Sequence, residues 1–228
     1  MRPAPAAGLL ERAAAFAMPE GAVACRGTWL REEGEMRFAP DRPWLPFTAE
    51  QWFRGEGIDF RWQARVRMGP WLVARVTDRF ELGSGSLAAH VFGVIPVSRA
   101  SGEETDQGEA LRGLAELPWR PFALHESASI HWTPFGDDGL HAAYDNGKTE
   151  AAIDFRLDSD GRILRASAGA RPRLDGKRFV DTPWTGEFSD YRQFGPFCVP
   201  AAAEVAWLLP EGPFPYWRGR LLDFRAIL

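Results

Sequence analysis

Between Ile58 and Met68 apolar and polar side chains alternate without a break. Ile58, Phe60, Trp62, Ala64, Val66 and Met68 share one parity, and Asp59, Arg61, Gln63, Arg65 and Arg67 share the other. A strand points successive side chains to opposite faces, so this pattern predicts an eleven-residue strand with one apolar wall. The wall is aromatic, in a chain of 228 residues that holds ten tryptophans and sixteen phenylalanines. Aromatic walls of this kind either fill a core or line a cavity for an apolar ligand.

Further strand candidates flank this one, at about 27–38, 44–53, 71–81 and 85–98. Their links are short and carry Pro or Gly. Short links favour an antiparallel meander, because parallel pairing needs a crossover of a dozen or more residues. The second half repeats the rhythm near 128–135, 140–145, 149–157 and 162–170. A loop at 171–181 then leads to strands near 183–191, 197–209 and 216–227. Asp137-Asp-Gly139, Asp145-Asn-Gly147 and Asp158-Ser-Asp-Gly161 supply the positive-φ positions that tight turns require.

Two segments break the alternation. Leu9, Leu10, Ala13, Phe16 and Ala17 recur at helical spacing over 5–17, and Ala110, Leu111, Leu114 and Leu117 do so over 104–117. Acidic residues lead the second segment and Pro118 ends it. The expected fold is mainly β, a single domain over 1–228. It consists of one curved antiparallel sheet of about ten to twelve strands, a half-barrel or open barrel with two short helices on one face. Two smaller sheets divided near residue 103 are the alternative.

Composition excludes some functions. A net charge of −4 and a pI near 5.7 argue against nucleic-acid binding. No stretch approaches the roughly 20 apolar residues of a membrane span, and the N-terminal apolar run is interrupted by Glu11 and Arg12. The chain therefore reads as cytoplasmic, with no signal peptide. Cys25 and Cys198 form no ligand cluster and read as reduced thiols. His131 and His141 sit on neighbouring expected strands but have no fixed third ligand, so no metal and no cofactor is expected. Oligomeric state is not legible in the sequence.

Several stretches resemble an uncharacterised bacterial family, a domain of unknown function. They are Pro43-Trp-Leu-Pro-Phe-Thr-Ala-Glu-Gln51, Phe60-Arg-Trp-Gln-Ala-Arg65, Asp78 with Gly83-Ser-Gly85, and Leu114-Ala-Glu-Leu-Pro-Trp119. Trp184 to Tyr191, Val199-Pro200, Glu204-Val-Ala-Trp207 and Tyr216-Trp-Arg218 extend the likeness over about residues 28–227. Phe188 to Pro200 is also similar to the late strand–turn–strand of lipoprotein carriers of the LolA and LppX type. That second resemblance implies an open antiparallel half-barrel whose helices cover an apolar concave face. The chain departs from those carriers in showing no export signal.

The functional expectation is a non-enzymatic binding protein for a hydrophobic or amphipathic, lipid-like small molecule. Trp62, Trp119, Trp132 and Tyr191 are the expected contacts, with Arg65 and Glu116 as polar handles; no catalytic residue is assigned. One alternative is an enzyme using Glu116 as acid or base, near an apolar helical stripe that would raise its pKa. The other is a structural or interaction domain with a filled core. The arginines Arg61, Arg65, Arg67, Arg75 and Arg79 form a stripe on the polar faces of two consecutive strands. They are expected to pair with Glu33, Glu35 and Glu50 across the sheet.

Overall fold

The computed structural model describes residues 6–21, 25–55, 57–91, 95–125, 127–176 and 178–228. The start of the expected first helix at residue 5 and the middle of the 85–98 segment lie outside them. Helix α1 (Ala6–Ala17) precedes strands β1 (Gly27–Met36), β2 (Leu45–Arg54), β3 (Phe60–Arg67), β4 (Val73–Glu81), β5 (Ser84–Val91) and β6 (Ile95–Ala100). Helix α2 (Glu103–Ala115) and two short 3-10 turns follow, at Leu117–Trp119 and Pro121–Ala123. The chain then runs through β7 (Ile130–Phe135), β8 (Gly139–Asp145), β9 (Glu150–Leu157), β10 (Ile163–Asp175), β11 (Arg178–Phe194), β12 (Phe197–Leu209) and β13 (Gly212–Ile227).

All thirteen strands join one sheet in the order β6-β5-β4-β3-β2-β1-β13-β12-β11-β10-β9-β8-β7, antiparallel at every step. The expected mainly β, antiparallel architecture is therefore present, with one strand more than the upper count. The extra strand arises because the 85–98 segment divides into β5 and β6. The predicted loop at 171–181 is instead a long hairpin: β10 extends to Asp175 and β11 begins at Arg178. Arg171, Arg173 and Thr182 are polar, but they pair across that hairpin as ordinary ladder residues.

The alternation at 58–68 survives with shorter bounds. β3 is alternately buried and exposed from Phe60 to Arg67, and Met68 already sits in the following turn. Strong twist bends so wide a sheet. Its curvature follows from α2, which packs on β4 and β5 as well as on β8, β9 and β10. In a flat sheet β5 and β10 would be about 38 Å apart at ~4.8 Å per strand, beyond the reach of one helix. The curl brings the turns of its two flanks together, and Thr149 Oγ1 donates to the Gly83 carbonyl at 2.9 Å. β6 and β7 do not pair, so the sheet stays an open half-barrel.

Two glycines let α2 sink against the sheet. A Cβ on Gly113 would lie 2.5 Å from the Ile58 carbonyl oxygen, and one on Gly85 would lie 2.6 Å from that of Thr105. Leu111, Leu114 and Leu117 enter the core from this side. Helix α1 lies against β12, β7 and β8 and buries Leu9, Leu10, Ala13 and Ala17.

The outer face is charged, but not as the sequence pattern suggests. Glu33 pairs with Arg220 and Glu35 with Arg218, because β1 neighbours β13 on that side. The register sets Arg61 opposite Arg79 and Arg65 opposite Arg75. Only Arg79 finds a carboxylate, Glu81 at 3.6 Å, among the described residues of the stripe. The expected cross-strand pairing is thus corrected to a row of largely unneutralised arginines.

Candidate functional site

Under α2 the concave face encloses a cavity of about 480 Å³. Its walls come from ten of the strands. Trp62 and Val66 stand on β3, Val76 and Asp78 on β4, and Leu87 and Ala89 on β5. Trp184, Trp207, Tyr216 and Trp217 face them from β11, β12 and β13. Helix α2 contributes Glu109, Arg112 and Ala115, its C-terminal cap Glu116 adds a carboxyl, and Trp119 closes the inner end. A wider depression of about 870 Å³ lies on the outer face among Glu33, Thr48, Arg65 and Arg218. It is open to water and bounded by ion pairs, whereas the concave cavity is mostly apolar and less open.

Polar residues interrupt the apolar rows at one place and meet there. Gln51, Trp62 and Asp78 are opposite one another on β2, β3 and β4, and Glu32 projects from the same face of β1. Gln51 Nε2 donates to Glu116 Oε2 at 2.6 Å, and Arg112 Nε donates to Glu116 Oε1 at 2.8 Å. Arg112 Nη1 also donates to Asp78 Oδ2, while its guanidinium lies over the Phe60 and Trp62 rings. Trp62 Nε1 donates to Glu32 Oε1 at 2.6 Å.

The electrostatics follow from burial and from excess acid: four carboxyls, Glu32, Asp78, Glu109 and Glu116, face the guanidiniums of Arg112 and Arg171. Burial pushes Glu32 up to about 7, opposed by the Trp62 hydrogen bond and reinforced by Glu116. Burial also holds Glu109 well above the carboxylate range, and the neighbouring Asp78 charge adds to this. Burial disfavours the Arg112 cation, but Glu116, Asp78 and Glu109 outweigh it and keep the guanidinium above its ordinary value. Asp78 Oδ1 and Glu109 Oε2 lack a donor among the described residues. A proton on Glu109 directed at Asp78 satisfies both atoms, since the two carboxyls lie within hydrogen-bonding reach.

Farther up the cavity, Arg171 lies over the rings of Trp184 and Trp207. Arg171 Nη1 donates to Tyr216 Oη at 3.3 Å, and Trp184 Nε1 donates to the same oxygen at 2.9 Å. Tyr216 stacks on Trp207 with ring centroids 5.5 Å apart. The cavity therefore has a hydrogen-bonded acid–guanidinium floor and an aromatic shaft with one guanidinium in its wall.

Of the expected contacts, Trp62, Trp119 and Glu116 come together in this cavity. Trp119 Nε1 donates to the Pro200 carbonyl at 2.8 Å, which orients its ring edge-on to Phe188. Arg65 stands on the outer face, opposite Arg75, and does not reach the cavity. Trp132 packs against Phe155 near the β7 edge and donates to the His125 carbonyl. Tyr191 donates to the Ile163 carbonyl at 2.7 Å and meets Phe16 of α1. Both lie away from the cavity lining. His141 pairs with Asp154, and the described residues hold no group of three metal-ligating side chains. Cys25 and Cys198 are half-buried and form no disulfide.

Glu32, Asp78, Glu109, Arg112 and Arg171 were not singled out as contacts from the sequence. A signal existed for two of them. Glu32 follows Thr28 and Leu30 on the buried parity of β1, and Asp78 lies between Val76 and Phe80 on that of β4. A carboxylate on an inward row needs an internal partner.

The model of a family of unknown function, DUF6544, matches residues 10–219. No curated protein matches the chain. Among solved structures, a LolA superfamily protein from Nitrosomonas europaea is similar, with a TM-score of 0.53 and 11% identity over 98% of this chain and 94% of that one. A DUF1329 family protein from Desulfovibrio piger is similar with a TM-score of 0.54 and 11% identity, over 97% and 93% of the two chains. A domain described as outer-membrane lipoprotein-sorting, from Vibrio parahaemolyticus, reaches 0.50 at 11% identity over 97% and 93%. At such identities the likeness is one of fold.

Proposed function

The chain belongs to DUF6544, a family of unknown function, and we propose that it binds a hydrophobic or amphipathic, lipid-like small molecule in the concave cavity. The observation that carries this reading is the partly enclosed space of about 480 Å³, walled by tryptophans and ending in a buried polar network. Its volume lies within the range of small-molecule sites, which combine apolar walls with few oriented polar groups. A core that only needed filling would close such a space, because interiors pack to crystal density and each void forfeits contacts. Similarity in fold to a LolA superfamily protein and to a lipoprotein-sorting domain supports the same reading.

Trp62, Trp119, Trp184 and Trp207 would contact the apolar body of the ligand, and Arg171 and Tyr216 its polar end. Glu116 serves the site as the acceptor that positions Arg112 and Gln51. The test is titration with N-phenyl-1-naphthylamine, an uncharged dye that brightens in apolar surroundings, followed by displacement with long-chain fatty acids and their amides. Saturable dye binding, displaced by at least one of these and lost in Ala89→Trp, is the expected result. Ala89 lines the cavity and is only partly buried, so the indole fills space without breaking the core. Dye binding unchanged by Ala89→Trp would refute the assignment.

A further inference from the structure

Many of the exposed large hydrophobic side chains gather at one rim, although others such as Leu82 and Phe135 stand elsewhere. In an antiparallel sheet alternate hairpins turn at the same rim, and four turns that are successive along this sheet share one. They are the β3–β4, β1–β2, β12–β13 and β10–β11 turns. Trp71, at the tip of the first, is 91% exposed, and Phe38 in the second is 69% exposed. Leu208 borders the third, and Leu174 and Phe179 flank the fourth, all exposed. The Trp71 turn is closed by a hydrogen bond from Met68 N to the Leu72 carbonyl at 2.8 Å, so the indole is held out on a folded hairpin.

The same turns carry arginines. Arg42, Arg67 and Arg178 stand at this rim and have no carboxylate partner among the described residues. Asp41, Asp175, Asp181 and Glu211 share this rim, Asp175 paired with Arg173, while at the β7–β8 and β9–β10 turns Asp138, Asp158 and Asp160 are paired with Arg156 and Arg162. The cavity also opens toward the aromatic rim, where Met36, Phe38 and Met68 line its outer end.

We propose that this rim docks onto an anionic lipid bilayer surface, with Trp71 and Phe38 inserted at the headgroup level and Arg42, Arg67 and Arg178 on lipid phosphates. Amphipathic aromatic rings settle at the membrane–water interface, and guanidiniums pair with phosphate in bidentate geometry. Arginines near an anionic surface add attraction that a neutral bilayer does not offer. A chain of net charge −4 is repelled as a whole by such a surface, so binding rests on the exposed aromatic tips together with the unpaired arginines beside them, and those tips fix its orientation. That orientation presents the cavity mouth to the lipid. A protein partner fits less well, since the tips form a row of separate apolar fingers with guanidiniums between them and no continuous flat patch.

The experiment is co-sedimentation of the full chain with vesicles of phosphatidylcholine alone and of phosphatidylcholine mixed with phosphatidylglycerol. Partition onto the mixed vesicles is expected to exceed that onto the neutral ones by about tenfold or more, and to fall as salt rises. Trp71→Asp, and separately Arg42→Glu with Arg67→Glu, should each lower it about tenfold, while Leu82→Asp at the opposite rim leaves it unchanged. All four substituted residues are exposed, so thermal midpoints close to that of the parent chain are expected and are measured alongside. Equal partition onto both vesicle types, no partition at low salt, or a Leu82→Asp effect as large as that of Trp71→Asp would each overturn the proposal. Dye binding in the cavity is read separately, so either result stands without the other.

Discussion

Glu32 offers the sharpest physical test of the cavity floor, through Glu32→Gln. The side chain is 2% exposed, and its carboxyl is pushed from 4.5 to about 7, chiefly by burial. The sign follows from proton linkage. A carboxyl with a raised folded-state pKa binds more protons folded than unfolded, so stability is lost as pH rises from about 4.5 through about 7. At 1.36 kcal/mol per pH unit across that window, ionising Glu32 costs roughly 3 kcal/mol by pH 8. Glutamine keeps an acceptor for Trp62 Nε1–H and never ionises. Urea unfolding of both proteins at pH 5 and pH 8 measures the effect. Glu32→Gln should be within about 1 kcal/mol of the parent at pH 5, and should be more stable by roughly 2–3 kcal/mol at pH 8. Glu109, raised in the same direction, remains in both proteins and largely cancels in the difference. A stability difference identical at the two pH values would refute the assignment of a buried, neutral Glu32.

Other consequences concern how α2 is held. Gly113→Ala forces a methyl against the Ile58 carbonyl, and should lower unfolding stability by about 1–3 kcal/mol in urea titrations. Arg112→Met removes the guanidinium shared by Asp78 and Glu116, leaving two buried carboxyls without a cation. A loss of about 3–5 kcal/mol in the same urea titrations is expected. Trp62→Phe keeps the ring but withdraws the donor to Glu32, at a cost of about 1–3 kcal/mol measured by the same unfolding assay.

The strand framework was legible because parity is a local signal. Phe60, Trp62, Ala64 and Val66 announce an inward wall whatever lies beside them, and the Asp-Gly and Asn-Gly turns mark where strands reverse. The β10–β11 hairpin was missed because Arg171 to Asp181 shows no apolar alternation: Leu174, Phe179 and Val180 stand among charged residues and are exposed. Strands that leave the body of a sheet carry no core face to give them away. Within the site, Trp62, Trp119 and Glu116 were recognisable by type and position. Arg171 and Tyr216 are 45 residues apart, and only the sheet order sets them beside each other. The carboxyls Glu32 and Asp78 did carry a parity signal, as charged residues on otherwise apolar rows. Arg65 illustrates the converse: its place on the polar parity of β3 puts it on the outer face, away from the cavity.

The central claim is that the concave face holds a ligand. Native mass spectrometry of the chain purified without detergent tests it most directly, before and after incubation with long-chain fatty acids and their amides. The expected spectrum shows the protein with one bound molecule of amphiphile, from the host or from the incubation, and Ala89→Trp shows the bare chain alone. A wild-type protein that remains bare under both conditions, while Ala89→Trp folds and melts like it, would contradict the account.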